Sequence, residues 1–206
     1  MSSATVTAGY TFSNNELVTY TKLNALGLPN VSVSLTGASN PQNYLRNGNF
    51  YGQFWNNPAG VSAPSGVETG NAQFWTVNPA GAAVTYSESN TVPANNHSLF
   101  SAMITGNTSV TTVNLSQTIP GDLSDSLNNT VSFSCWILNG SGINLTPTLI
   151  ISSANSYNNF TAVTQIASAN LTTIASGIWA YETATVNLTG LSNVNNGLKI
   201  SIHFPS

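Results

Sequence analysis

The sequence predicts an all-β protein, a jelly-roll β-sandwich that carries a short N-terminal helix and strand. Two observations predict the sandwich. Segments of alternating apolar and polar residues recur after residue 43, for example NTVSFSCWIL and GLKISIHF. Short clusters of Asn, Gly, Ser and Pro separate these segments, as turns separate the strands of a sandwich. A third observation, one well-marked helix signal near the start of the chain, predicts the appendage.

The chain is predicted to divide near residue 40. Residues 1–40 are expected to form an attachment and oligomerisation segment, and residues 41–206 the jelly roll, because the chain after the loop GASNPQN has the pattern of β structure. Within the first segment, VSVSLTG alternates apolar and polar residues. This alternation predicts a strand over about residues 31–36.

A helix is predicted over about residues 14–26. Ser13 and Glu16 fit a capping box, and Gly27 fits the left-handed position that follows the last turn of a helix. A helix of this length is marginal alone in water. It is therefore expected to dock, either on its own domain or on a neighbouring subunit. The side chains expected to make an oligomer contact are Leu17, Tyr20, Leu23 and Leu26.

Charged residues are rare in this chain. They make up 4% of it, where about 25% is typical, and the only basic residues are Lys22, Arg46 and Lys199. Binding to nucleic acid or to an anionic membrane surface requires clustered Lys and Arg, so neither partner is expected. No apolar run approaches the roughly 18 residues of a membrane-spanning helix, so membrane insertion is not expected.

The first residues, MSSATVTAGYTF, lack a basic region followed by an apolar core. A secretory signal is therefore not predicted, and synthesis and assembly inside a cell are expected. Cys135 is the only cysteine, which excludes an intrachain disulfide. It lies in the apolar phase of an alternating strand, which is typical of an inert core thiol.

The titratable residues do not predict an enzyme. Glycoside hydrolysis requires two carboxylates that face each other across the bond, and the six acids here are dispersed along the chain. Asp122 and Asp125, in the polar segment PGDLSDSLNN, are weak candidates for calcium ligands. No other cofactor is expected, because His97 and His203 lack the spacing of metal ligands.

Two similar stretches, GQFWNNPAG at residues 52–60 and AQFWTVNPAG at residues 72–81, use two of the four tryptophans. Tryptophan faces can stack on the C–H faces of sugars, and Asn and Gln supply uncharged hydrogen bonds. The alternative is that one or both tryptophans fill the core, where most tryptophans lie. Trp136 alternates with Cys135 along its strand and is expected to point outward or to line a concave sheet face. The candidate glycan-binding residues are Trp55, Tyr51 and Trp136.

The segment NYLRNGNF at residues 43–50 resembles the opening strand of the carbohydrate-binding-module-like jelly rolls of phage tail-fibre and related virion proteins. HSLFSAMI, VNLSQTI and NTVSFSCWI resemble later strands of that family, in the same order, and the resemblance extends from about Asn43 to the C-terminus. The two QFW tryptophans match landmark positions of the family, so Trp75 at a strand start is expected in the core and Trp55 in a contact loop. Carbohydrate-binding members often have an acid where this chain has Tyr51.

The resemblance implies a structural virion surface protein: a fibre, spike or capsid decoration subunit, assembled in the host cytoplasm. It also implies a homo-oligomer, expected to be a trimer, that attaches to other virion proteins through its N-terminal segment, with host glycans as ligands of the jelly roll. The alternative is a carbohydrate-binding module of a secreted bacterial protein, which the missing secretory signal disfavours. A glycan depolymerase is the third hypothesis, which the scarcity of carboxylates disfavours.

Overall fold

The computed structural model describes residues 3–7, 30–34, 43–94 and 98–205. The chain divides into two compact units, Met1–Asn43 and Tyr44–Ser206.

The first unit contains a two-stranded antiparallel sheet. Strand β1 (Ser3–Thr7) pairs with β2 (Asn30–Ser34), so that Ser3 lies opposite Ser34. The sequence predicted a strand over residues 31–36, and β2 covers most of that range. The predicted helix over residues 14–26 lies outside the described residues, together with the proposed contact side chains Leu17, Tyr20, Leu23 and Leu26.

The second unit consists of antiparallel strands joined by short turns and four short helical segments. The strands are β3 (Val61–Ala63), β4 (Thr69–Gly70), β5 (Trp75–Ala80), β6 (Val84–Ser89), β7 (Ser101–Thr105), β8 (Thr112–Pro120), β9 (Thr130–Leu138), β10 (Thr148–Ser156), β11 (Asn159–Asn170), β12 (Trp179–Asn187) and β13 (Gly197–Pro205). A one-turn helix α1 (Gly121–Ser124) and a 3₁₀ turn (Asp125–Leu127) follow β8, and further 3₁₀ turns lie at Gly52–Phe54 and Val194–Asn196.

These strands form two layers. One layer is a six-stranded sheet of order β11-β10-β13-β8-β5-β4. The other consists of the β9–β12 pair and the three-stranded sheet β3-β6-β7. The chain passes repeatedly from one layer to the other. The fold class predicted from the sequence, an all-β sandwich, is confirmed.

Two core clusters lie between the layers. The first joins β10 and β13 of the large sheet to the β9–β12 pair, with Leu149 and Leu198 fully buried. The second joins β5 and β8 to the three-stranded sheet, with Val77 and Tyr86 fully buried. Because side chains alternate along a strand, each cluster takes every second residue of its strands.

The alternation in β9 and β13 has the predicted register. Ile200 and Ile202 are buried at 8% and 5% exposure. Phe133 and Cys135 are half-buried and pack against the first cluster.

Candidate functional site

Trp136 lies on the outer face of the β9–β12 pair. Its ring is 43% exposed, whereas its neighbour Ile137 is buried in the first core cluster. The sequence placed Trp136 opposite the apolar face of β9, and this orientation is confirmed. A large aromatic side chain on a solvent-facing sheet surface requires an explanation, since exposure of its apolar area is unfavourable.

Tyr181 is the direct cross-strand partner of Trp136. The two ring centroids are 5.2 Å apart, the ring planes make an angle of 47°, and Tyr181 is 54% exposed. Cross-strand aromatic pairs of this kind stabilise a sheet by about 0.2–1 kcal/mol. We call these two side chains the β9–β12 platform. The sequence alone did not indicate Tyr181, because its position beside Trp136 depends on the register between two strands that are far apart in the chain.

The platform lies between a hydroxyl-rich and an apolar stretch of surface. On one side the outward positions of β9 and β12 carry hydroxyls, with Ser132 and Thr185 within 3.3 Å of each other. On the other side lie three exposed apolar side chains, those of Leu138, Ile143 and Ile178. The outward side chains of this pair carry no charge. Aromatic faces flanked by uncharged donors and acceptors suit a ligand with both C–H faces and hydroxyls.

A buried carboxylate lies on the inner face of β12, the strand that carries Tyr181. Glu182, beside Tyr181 in β12, points inward and is 1% exposed. One carboxylate oxygen accepts the Thr172 backbone N–H at 2.8 Å, and the other accepts the Thr172 hydroxyl. Both oxygens of the buried group are therefore satisfied, as a buried carboxylate requires. These bonds tie β12 to the segment that follows β11.

The Trp55 indole is buried, at 8% exposure, so the prediction that it presents a contact face in a loop is wrong. Trp55 forms an antiparallel bridge with Ala72, and this bridge turns the indole toward the second core cluster. There it meets Tyr86 edge to face, with ring centroids 5.2 Å apart. Trp75 is also buried, at 5% exposure, as predicted.

Both tryptophans hold the same turn. The Trp55 indole N–H donates to the Phe50 carbonyl at 3.0 Å, and the Trp75 indole N–H donates to the Arg46 and Asn47 carbonyls at 3.0 and 3.2 Å. The Phe50 ring lies near both indoles, at centroid distances of 6.2 and 5.4 Å. Asn47 and Phe50 each have a φ of +49°. Since this conformation is costly for a bulky residue, the two indoles explain how the turn persists.

The two Gln-Phe-Trp copies lie side by side, and their remaining side chains reach the surface. Phe54 and Phe74 are 44% and 45% exposed. A shallow pocket of about 330 Å³ is lined by Gln53, Phe54, Trp55, Asn56 and Gln73. We call it the QFW pocket.

Tyr51 stands beside the QFW pocket rather than beside Trp136. It is 38% exposed, and its ring contacts Phe54 and Phe100 at centroid distances of 6.4 and 5.9 Å. The guanidinium of Arg46 lies 5.3 Å from the centre of the Phe74 ring. The candidate glycan-binding residues therefore belong to two surfaces that border different core clusters, and no ring contact described in the structure joins them.

Asp122 lies in α1, and Asp125 begins the 3₁₀ turn that follows it; both are exposed. Within residues 43–94 and 98–205, no three His, Cys, Asp or Glu side chains gather to hold a metal ion. His203 is half-buried with its Nδ1 at 2.9 Å from the Asn114 Oδ1, and His97 lies outside the described residues.

Over the described part of the chain, no helix is long and apolar enough to cross a membrane.

No protein-family model and no curated protein sequence matches this chain. Among solved structures, the chain is similar to the enzymatically active domain of bacteriophage CBA120 tailspike protein 4, with a TM-score of 0.45 and 17% sequence identity. The alignment covers 65% of this chain and 17% of the tailspike chain. A likeness this distant supports no functional assignment.

Proposed function

We propose that this protein is a virion surface subunit, a fibre, spike or capsid decoration protein, whose β-sandwich binds uncharged host glycans at the β9–β12 platform. The observation that carries the glycan role is the exposed pair of Trp136 and Tyr181, which lie side by side on an uncharged sheet face. The virion role is supported by the order of sequence motifs that resemble phage fibre jelly rolls.

The scarcity of charged residues limits the interactions by which this protein can bind a ligand. With three basic and six acidic residues in 206, long-range attraction to a charged ligand is weak. Affinity then comes from stacking on aromatic faces and from uncharged hydrogen bonds. One such site binds weakly, and several copies on a particle strengthen attachment through avidity. This arrangement suits a repeated surface subunit.

We further propose that the subunit is a homotrimer, held together and attached to other virion proteins by residues 1–40. The support is the predicted helix, which is too short to be stable alone and carries an apolar stripe. Deletion of residues 1–37 should leave a folded monomeric sandwich. The mass in solution, from sedimentation or light scattering, measures this. A full-length chain that remains monomeric at micromolar concentration and has no virion partner contradicts it.

The glycan role is tested on a glycan array with the full chain and two matched variants. Trp136→Ala should lower binding about tenfold, as expected when an aromatic contact worth about 1–1.5 kcal/mol is removed. Tyr157→Ala is the control, because Tyr157 is also an exposed aromatic residue, at 61%, in the turn between β10 and β11. Equal binding by Trp136→Ala and the wild type would show that the platform is not the glycan-binding site. A change in oligomeric mass in Trp136→Ala would make the platform a subunit contact instead.

The second candidate function is that of a carbohydrate-binding module of a secreted bacterial protein. Such a module would bind its glycan at the same platform. Peptide mass spectrometry of purified particles separates the two, because only a virion subunit co-purifies with them. We do not propose a depolymerase. Glu68 is engaged by Lys199 at 2.8 Å, and Glu182 is buried against Thr172. Release of reducing sugar ends from a bound glycan would contradict this.

A further inference from the structure

We propose that the QFW pocket is a second carbohydrate site, which binds a single uncharged sugar ring. It shares its ligand class with the proposed function, but it borders a different core cluster from the β9–β12 platform, so either site can fail to bind without affecting the other.

The backbone that supports the pocket is held in place by hydrogen bonds. The Gln73 N–H donates to the Phe54 carbonyl at 2.6 Å, and the Asn56 N–H donates to the Asn71 carbonyl at 2.9 Å. Trp55, which lies between Phe54 and Asn56 in the chain and forms a bridge with Ala72, is buried and hydrogen-bonded. A binding site needs this kind of rigid support, because small displacements of its side chains weaken binding.

The side-chain amides around the pocket fall into two groups. The amide of Asn71 is fully engaged: its Oδ1 accepts the Asn57 N–H at 2.9 Å, and its Nδ2 donates to the Asn57 and Tyr86 carbonyls at 2.8 Å. The amides of Gln53, Asn56 and Gln73, in contrast, line the pocket and make no hydrogen bond to other described residues. Asn71 serves the fold, whereas the other three are available to a ligand.

The lining specifies the class of ligand. Each free amide offers a carbonyl acceptor and two N–H donors, which match the hydroxyls of a sugar. The half-exposed Phe54 ring offers an apolar face for the C–H groups of the ring. No lining side chain is charged, so an ionised ligand finds no counter-charge in the pocket. A volume of about 330 Å³ is at the small end of ligand sites and suits one ring rather than a long chain.

The test is an NMR titration of the full-length protein, labelled with ¹⁵N at Asn and Gln, with single sugars as probes. The uncharged probes are glucose, galactose, mannose and N-acetylglucosamine, and the charged comparison is glucuronic acid. At least one uncharged sugar should shift the side-chain amide signals of Gln53, Asn56 and Gln73 along a common saturation curve. The signals are assigned by their disappearance in the respective Ala variants.

Gln73→Ala should weaken binding of that sugar about fivefold or more, because one set of hydrogen bonds is lost. Gln165→Ala is the matched control: Gln165 is exposed in β11, outside the pocket. Trp136→Ala should leave this titration unchanged, which separates the pocket from the platform. No shift with any uncharged sugar, equal weakening by Gln165→Ala, or preference for glucuronic acid would overturn the proposal. A change in oligomeric mass in Phe54→Ala would assign the surface to a subunit contact and overturn it as well.

Discussion

The Cys135 thiol lies directly opposite the Glu182 carboxylate in the β9–β12 ladder, and both residues face the first core cluster. Burial raises the pKa of the Cys135 thiol to about 12, and the negative charge of Glu182 acts in the same direction. A thiol in this setting stays protonated at neutral pH and is a poor nucleophile. The glutamate thereby adds to the protection that burial gives the cysteine.

Native Cys135 should therefore resist thiol reagents. At pH 8 its reaction with a disulfide reagent should be about 100-fold slower than in the guanidinium-unfolded chain, where the thiol has its ordinary pKa. The absorbance of the released reagent measures both rates. Reaction of the native protein at the unfolded rate would show that β9 opens readily, and would contradict the described burial.

The Glu68–Lys199 pair should make a small pH-dependent contribution to stability. Burial raises the pKa of the Glu68 carboxyl, but hydrogen bonds from Lys199 and Thr76 and the charge of Lys199 outweigh it and hold the pKa below its ordinary value of 4.5. Since the folded-state pKa is depressed, the stabilisation is present above pH 4.5 and is lost as the pH falls through the folded value.

Glu68→Gln tests this contribution. The variant should be less stable than the wild type at pH 7 by about 1 kcal/mol or less, because the Glu68 side chain is 39% exposed and screened by solvent. The difference should be smaller at pH 3 than at pH 7, because protonation of the carboxyl removes the charge that Lys199 stabilises. Urea unfolding at the two pH values measures it, with Lys199→Gln as the partner control. A stability difference between the wild type and Glu68→Gln that grows as the pH falls would contradict the prediction.

Ile200 should be a major contributor to the core. Ile200→Ala should lower the free energy of unfolding by about 2–5 kcal/mol, the range for truncation of a buried isoleucine, since Ile200 is 8% exposed in the first core cluster. Val163→Ala is the control, because Val163 is 37% exposed in β11. It should change stability by less than about 1 kcal/mol. A cost below that value for Ile200→Ala would mean that the register of β13 is wrong.

The glycines that end the two Asn-Pro-Ala-Gly stretches should resist substitution. Gly60 and Gly81 have φ values of +112° and +84°. An added Cβ at Gly60 would lie 2.9 Å from the Thr85 methyl, and one at Gly81 would collide with the Ser109 carbonyl. Each Gly→Ala change should cost more than about 1 kcal/mol in urea unfolding. Gly140→Ala, at an exposed position where no atom lies within 4 Å of the added Cβ, should be nearly neutral.

Glycan binding at the β9–β12 platform should depend little on salt concentration. Stacking and uncharged hydrogen bonds are not screened, whereas attraction between exposed charges is. Host-cell adsorption by particles that carry the wild-type protein should be similar at low and high salt, and should fall in Trp136→Ala at both. Adsorption that falls steeply with salt would indicate a charge-driven adhesin. Unchanged adsorption by particles without this protein would leave a decoration role and no receptor binding.

The strands could be predicted from the sequence because the alternation of apolar and polar residues within each strand matches the alternation of buried and exposed side chains. In β9 and β13 every second side chain is apolar, and the sandwich covers those faces. The burial of Trp55 was not predictable in this way, since it depends on a bridge to Ala72 that no local pattern encodes. Tyr181 was missed for a similar reason, because only the register of β12 against β9 places it beside Trp136. Glu182 interrupts the apolar phase of IWAYETATV, and that interruption is the one local sign of its buried role.

The four tryptophans of this chain differ in solvent access, which gives the protein an internal optical probe. Trp55 and Trp75 are buried and hydrogen-bonded, so their emission should lie at short wavelength and resist quenching by iodide. Trp136 is exposed and Trp179 half-buried on the β9–β12 pair, so they should emit at longer wavelength and be quenched readily. A ligand stacked on Trp136 would shield the quenchable component alone. Loss of the turn at Asn47–Phe50 would instead shift the protected component, so one emission spectrum separates occupancy of the sheet face from integrity of the fold.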